Sequence, residues 1–356
     1  MTARDSQSPS AALLTALEHV WRKLWLFALG VLHLLFSSDR QWLSMASAPC
    51  DRDELEQERS QQQLEPRRTK RIVFVRHAES EWNVVFNRGV DWRALVRLVR
   101  ACVREWLMLP TPDSVFIDSP LSRTGIRQAR ALFDDALVRS SDIESGLAAT
   151  ATGDEDAIEA AKKTALRYMS CPLPNSIVVT SNLRRAIDTA RVASAARLGV
   201  PGETIHVLSA LQEIGRNIDT LAISDAYALK TQALSSALRV DKASDGLFDL
   251  SESHGNKTVR GCGRTRLQAF ARWSTRRSED VVVVYGHSLW FRAFCREYFP
   301  SGVAHDAKHL KLANCGVVSF TLEEYDAART PAAAKDLFGD RAPRFRIAPE
   351  SFLSVR

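Results

Sequence analysis

Three short apolar runs in this chain each end in residues able to hold or attack an anion. Residues 71–75 (RIVFV) lead into Arg76-His77, 177–180 (IVVT) into Ser181-Asn182-Leu183-Arg184-Arg185, and 281–285 (VVVVY) into Gly286-His287-Ser288. A fourth run, 204–208 (TIHVL), is followed within a few residues by Glu213. Two histidines, at least two arginines and a carboxylate gathered at one sheet edge call for a bound anion, because burying that many ionisable groups without one is costly. The planar fork of arginine matches phosphate oxygens in pairs, so the expected guest is a phosphoryl group. One histidine can then attack phosphorus through a neutral ring nitrogen, provided its other nitrogen donates to a backbone carbonyl and fixes the tautomer.

The elements that position these residues follow from the same pattern. Helix-length stretches at 122–138, 183–198, 264–277 and 288–299 separate the apolar runs, and a further run lies at 316–322 (GVVSFTL). Continuous Val/Ile runs alternating with helices predict an α/β three-layer sandwich, with a mainly parallel central sheet and helices on both faces. Ligands of such sheets bind beyond the carboxyl ends of the strands, where the residues named above fall.

Five blocks, in order, resemble the histidine phosphatase superfamily, which includes the cofactor-dependent phosphoglycerate mutases. They are Arg76-His77-Ala78-Glu79-Ser80-Glu81-Trp82-Asn83; Asp118-Ser119-Pro120-Leu121-Ser122-Arg123-Thr124-Gly125-Ile126-Arg127-Gln128-Ala129; Thr180-Ser181-Asn182-Leu183-Arg184-Arg185-Ala186; Leu211-Gln212-Glu213; and Gly286-His287-Ser288. The resemblance covers about residues 71–322. It implies a phosphoglycerate mutase-like fold, in which His77 forms a transient phosphohistidine and Arg76, Arg185 and His287 bind the phosphoryl oxygens. Asn83 matches a further phosphate contact and Glu213 the proton donor to the leaving group, with Asp219 and Glu79 in reserve. Ala78 replaces the commoner glycine, and Ser288 stands where many members carry glycine, leaving its hydroxyl available to phosphate. The implied activity is phosphomonoester hydrolysis. Phosphoglycerate mutase activity would use the same clamp, but Ile214-Gly215-Arg216-Asn217 replaces the Arg-His-Tyr-Gly typical of those mutases. A membrane-tethered protein that binds a phosphorylated ligand without turnover is the reading from another class.

The mechanism so implied needs charge neutralisation by the arginines and a protonated His287, and a protonated Glu213 to help the alkoxide leave. It needs no cofactor, and no metal ligand set is present in the sequence. The expected partner is a small phosphorylated substrate. The chain carries a formal net charge of +6; acidic and basic residues balance over 1–70, so the excess lies in 71–356. That excess suits anionic partners, but no nucleic-acid-binding motif accompanies it, and nucleic acid is not expected. The six cysteines, Cys50, Cys102, Cys171, Cys262, Cys295 and Cys315, are scattered without metal-ligand spacing and read as reduced thiols of an intracellular protein. Cys102, Cys295 and Cys315, among apolar neighbours, read as core filler.

The domain reading is a hydrophobic appendage (1–49), a charged linker (50–70), a catalytic domain (71–325) with insertions at 87–116, 140–164 and 217–259, and a C-terminal extension (326–356). Residues 24–36 (LWLFALGVLHLLF) are the most apolar run, short of the roughly 20 residues that cross a bilayer. A signal anchor or peptide, an interfacial helix and a helix packed on the domain stay open. The low-complexity stretch 140–163 reads as a surface insertion and 327–334 as a loop or short exposed helix. Residues 91–108 predict an amphipathic helix with Arg93, Arg97, Arg100 and Arg104 on one face and apolar residues around the rest. That arginine face is either solvated or turned to an extended polyanionic substrate or, like residues 20–36, to an acidic membrane surface.

Overall fold

The computed structural model describes residues 9–43, 55–56, 65–89, 91–144, 154–231, 246–326 and 343–356. Among them, seven strands form one mixed sheet: β1 (Arg68–Arg76), β2 (Ser176–Ser181), β3 (Ile205–Leu208), β4 (Phe248–Asp249), β5 (Val281–Gly286), β6 (Val317–Tyr325) and β7 (Arg344–Ser354), in the order β4-β3-β2-β5-β1-β6-β7. β1, β5, β2, β3 and β4 run parallel to one another, whereas β6 is antiparallel to both β1 and β7. The described helices are α1 (Pro9–Phe36), α2 (Glu81–Phe86), α3 (Trp92–Leu107), α4 (Arg123–Glu144), α5 (Asp154–Ser170), α6 (Arg184–Ala193), α7 (Ala195–Leu198), α8 (Gly263–Arg276) and α9 (Ser288–Tyr298).

The central strands are the continuous apolar runs, and they are buried because both of their faces are covered. Their side chains divide by the two-residue period of a strand. Ile72, Phe74, Val282 and Val284 pack with Phe270 of α8 and with Trp290, Phe291 and Phe294 of α9. Val73, Val75, Val283 and Tyr285 pack on the other face with Ala129 and Leu132 of α4, Leu166 and Met169 of α5 and Ala190 of α6. This is the expected three-layer α/β sandwich. Gly125, in the second motif block, lets α4 start against the first block, since a Cβ there would stand 2.0 Å from the Glu79 carbonyl oxygen.

Several boundaries differ from expectation. Residues 326–356 are not simply an extension: β7 closes the sheet edge, burying Phe345 and Ile347 and pairing Arg346 with Glu323 at 2.9 Å. Its mixed RFRIAPESFLS pattern hides it, and Pro349 is tolerated because β7 is an edge strand. β1 starts at Arg68, inside the expected linker, with Lys70 donating to the carbonyls of Arg277 and Glu279 at 2.9 and 2.7 Å. Of the stretch read as a surface insertion, residues 140–144 continue α4 and 154–163 begin α5. Residues 327–334 fall outside the described residues.

Candidate phosphoryl-transfer site

In the β1/β5 register Arg76 lies opposite Gly286, so His77 and His287 leave the sheet side by side. The His77 N–H donates to the Gly286 carbonyl at 3.0 Å, and the two imidazole centroids are 5.1 Å apart. β2, on the other side of β5, ends at Ser181 and turns into α6, whose second residue is Arg185. Parallel pairing thus brings three strand ends together at one carboxyl edge, joining residues 108 and 210 positions apart.

Two contacts fix the state of His77. Its Nδ1 lies 2.6 Å from the Ala78 carbonyl oxygen, which can only accept, so Nδ1 carries the proton. The Arg185 Nε–H, which can only donate, points at His77 Nε2 at 3.3 Å, so Nε2 presents its lone pair. Burial, then the charges of Arg185 and Arg76, push the His77 pKa well below the ordinary imidazole value. Around it, Asn314 Nδ2 donates to the His77 carbonyl at 2.9 Å and Thr189 Oγ1 accepts the Ala78 N–H at 3.0 Å.

Arg185 is anchored by the Asp219 carbonyl at 2.8 Å and faces the Asp219 carboxylate at 3.6 Å. Arg76 donates to the Leu312 carbonyl. Its Nε and both ring nitrogens of His287 are buried with no hydrogen-bond partner among the described residues. Native interiors rarely leave such groups unsatisfied, and an anion is the guest that would satisfy donors of this kind. His287 departs from expectation in its charge: burial first, then Arg185, His77 and Arg76, drive its pKa well below the ordinary value, so without an anion it is neutral at pH 7. A phosphate dianion would oppose that shift.

Glu213 is buried, and burial outweighs Arg185 and the Trp290 N–H to raise its pKa. Its Oε1 accepts the N–H groups of Trp290 at 2.9 Å and Ile214 at 3.2 Å, so a proton on this carboxyl belongs on Oε2. Lys257 supports the Glu213 loop by donating to the carbonyls of Glu213 (2.8 Å) and Gly215 (2.6 Å) and to Asp39 (3.0 Å). Of the reserve acids, Asp219 has its pKa raised, with burial the largest cause. Glu79 is committed to Arg88 and to the Ser122 hydroxyl at 2.7 Å. Asn83 Oδ1 accepts the Ser80 N–H at 3.1 Å in a capping box, and Ser288 is the buried first residue of α9.

Arg184 opens α6 and is nevertheless buried. It is 2% exposed and donates to the Asp118 carbonyl at 2.8 Å, to the Ser114 carbonyl and to the Asp113 carboxylate. Asp118, at φ 49°, meets the N–H groups of Arg184 and Ile223 at 2.8 and 3.0 Å. The pair staples the second motif block to α6 and so seats Arg185. Thr189, Leu312 and Asn314 were not identifiable as neighbours of the site from sequence, because each acts only through backbone contacts with no motif around it.

A family model for the histidine phosphatase superfamily (branch 1) matches residues 154–330. Over that stretch, just under half of the chain, the sequence is similar to histidine phosphatase superfamily domains. Similar solved structures include mycobacterial hydrolase 1, at 16% identity over 81% of this chain and 100% of that one (TM-score 0.35). A mycobacterial glucosyl-3-phosphoglycerate phosphatase is 14% identical over 78% of this chain and 97% of its own (TM-score 0.33). The phosphoserine phosphatase of Entamoeba histolytica is 14% identical over 70% and 90% (TM-score 0.32). No curated protein matches the chain significantly.

Proposed function

We propose that this protein, as a histidine phosphatase superfamily member, hydrolyses a phosphomonoester through a phosphohistidine on His77. The observation that carries the reading is the paired contact on one buried ring: Nδ1–H held by the Ala78 carbonyl, Nε2 lone pair facing Arg185. A neutral, oriented nucleophile beside two guanidinium groups and a second histidine is what in-line attack on phosphorus requires. His77 Nε2 bonds to phosphorus as the ester P–O bond breaks, and the leaving alkoxide takes its proton from Glu213. Water then attacks the phosphohistidine, giving its proton back to Glu213, and inorganic phosphate leaves. Arg76, Arg185 and His287 hold the three peripheral oxygens, with Asn83 and Ser288 as additional donors.

Phosphate release from a panel of sugar, glycerate and inositol phosphates, phosphopeptides and nucleotides tests the reaction. A substrate in the panel is expected to turn over, whereas turnover confined to a mutase assay primed with a bisphosphoglycerate would overturn hydrolysis in favour of phosphotransfer. Glu213→Gln is expected to lower kcat on alkyl phosphates about a hundredfold or more, and to cost far less on an aryl phosphate whose leaving group needs no proton. The sign of the pH dependence follows from the shifts. Glu213 acts protonated and its pKa is raised, so kcat falls as pH rises through that value. His77 acts neutral and its pKa is depressed, so the acid limb lies below the ordinary histidine range. An unchanged alkaline limb in Glu213→Gln would assign the proton elsewhere, with Asp219 the next candidate.

A further inference from the structure

α1 is docked on the catalytic domain with its amphipathicity inverted. Lys23, Leu26, His33, Ser37 and Asp39 are buried against the domain. Lys23 Nζ donates to the Met108 carbonyl just beyond α3, and Leu26 packs with Ile117 and Ile223. After the helix, Asp39 joins Lys257 at 3.0 Å and Arg266 at 2.8 Å. The opposite side carries Leu14, Leu17, Trp21, Leu24, Trp25 and Leu35, each more than half exposed. A helix on a water-soluble surface would show the reverse.

α3 repeats the arrangement. Asp91 caps it and Ala101 is its buried contact, while Trp92, Leu95, Val99, Val103, Trp106 and Leu107 are all more than half exposed. The expected apolar side of this helix is therefore turned outward, and Cys102, expected in the core, is exposed with it. The ridge of Arg93, Arg97, Arg100 and Arg104 flanks that face; Arg97 and Arg104 reach Asp91 and Glu81, while Arg93 lies over the Trp92 ring at 5.7 Å.

We infer that α1 and α3 lie in the interfacial plane of an anionic bilayer, apolar faces among the acyl chains and the arginine ridge at the phosphate level. Exposed apolar faces of this size mark an interaction surface. Tryptophans on both helices and guanidinium groups bordering one of them suit the lipid interface and complement its charge. The helix α1 and the residues after it have the length and composition to cross a membrane. Its seam argues for lying flat, since a crossing helix would have to carry Lys23 into lipid and release Met108, while Asp39 stays tied to Lys257.

The full chain is mixed with phosphatidylcholine vesicles with and without phosphatidylserine, including brominated lipids that quench tryptophan. Wild type is expected to sediment with the serine-lipid vesicles, to be quenched by shallow bromines more than by deep ones, and to be released by alkaline carbonate. Leu17→Glu/Leu24→Glu/Leu35→Glu should weaken partitioning at least about tenfold, and Arg93→Glu/Arg100→Glu about tenfold on the anionic vesicles alone. Retained near-ultraviolet circular dichroism shows that these surface variants are folded. No vesicle binding, or a stable dimer that shields these tryptophans, overturns the inference; carbonate-resistant binding overturns the in-plane placement.

Discussion

Replacing His77 with alanine is expected to lower turnover at least about ten-thousandfold while leaving the protein folded. The ring makes two polar contacts, to the Ala78 carbonyl and to Arg185, and the sheet on either side of it is closed by β1 and β5 without its help. The clamp of Arg76, Arg185 and His287 survives the substitution, so affinity for inorganic phosphate should be largely kept. Loss of turnover with retained phosphate binding separates a nucleophile from a ligand. A binding protein without turnover would show no rate to lose, and a phosphatase using another nucleophile would lose little. Circular dichroism, phosphate titration and rate measurement on one preparation distinguish the three.

The largest effect on stability is expected at Arg184, which touches no substrate in the proposed mechanism. Arg184→Ala leaves the fully buried Asp118 without its cation and removes three carbonyl contacts, to Asp118, Ser114 and Ile117. Breaking one side of a buried ion pair costs about 3 kcal/mol or more, lowering Tm by about 6–12 °C in a domain of this size. Burial already raises the Asp118 pKa with Arg184 present. Without Arg184 the carboxyl would take up a proton more readily, so the destabilisation should be smaller at low pH and grow as the carboxyl ionises. Thermal unfolding across pH checks this; an unchanged Tm would show that Asp113 and Asp118 find other partners.

How legible the chain was depended on whether a residue's job repeats along the sequence. The central strands were visible because continuous Val/Ile runs are needed where both faces of a sheet are covered. The residues proposed to clamp phosphate stood out because each follows such a run. The role of Arg184 was not legible, because it sits beside Arg185 in a helix start and nothing local shows that Asp118, 66 residues earlier, waits for it. β7 was hidden because an edge strand can mix charge, proline and apolar residues. β6 read like the parallel strands since burial on both faces, rather than direction, sets its composition. α3 was read with the correct ends and its arginines do face outward, but so does its apolar side: periodicity shows that a helix has an apolar face, but not what the face meets. The charge of His287 was also beyond the sequence, since it depends on burial beside two guanidinium groups.

The proposed phosphohistidine is a covalent bond, so it can be trapped. The protein is mixed with a phosphorus-labelled substrate, quenched in alkali within the first turnover and digested for mass spectrometry. One phosphoryl group per chain is expected on His77, stable in base, lost in acid and missing from His77→Ala. Turnover without any label at the earliest times, or label that persists in His77→Ala, would contradict it.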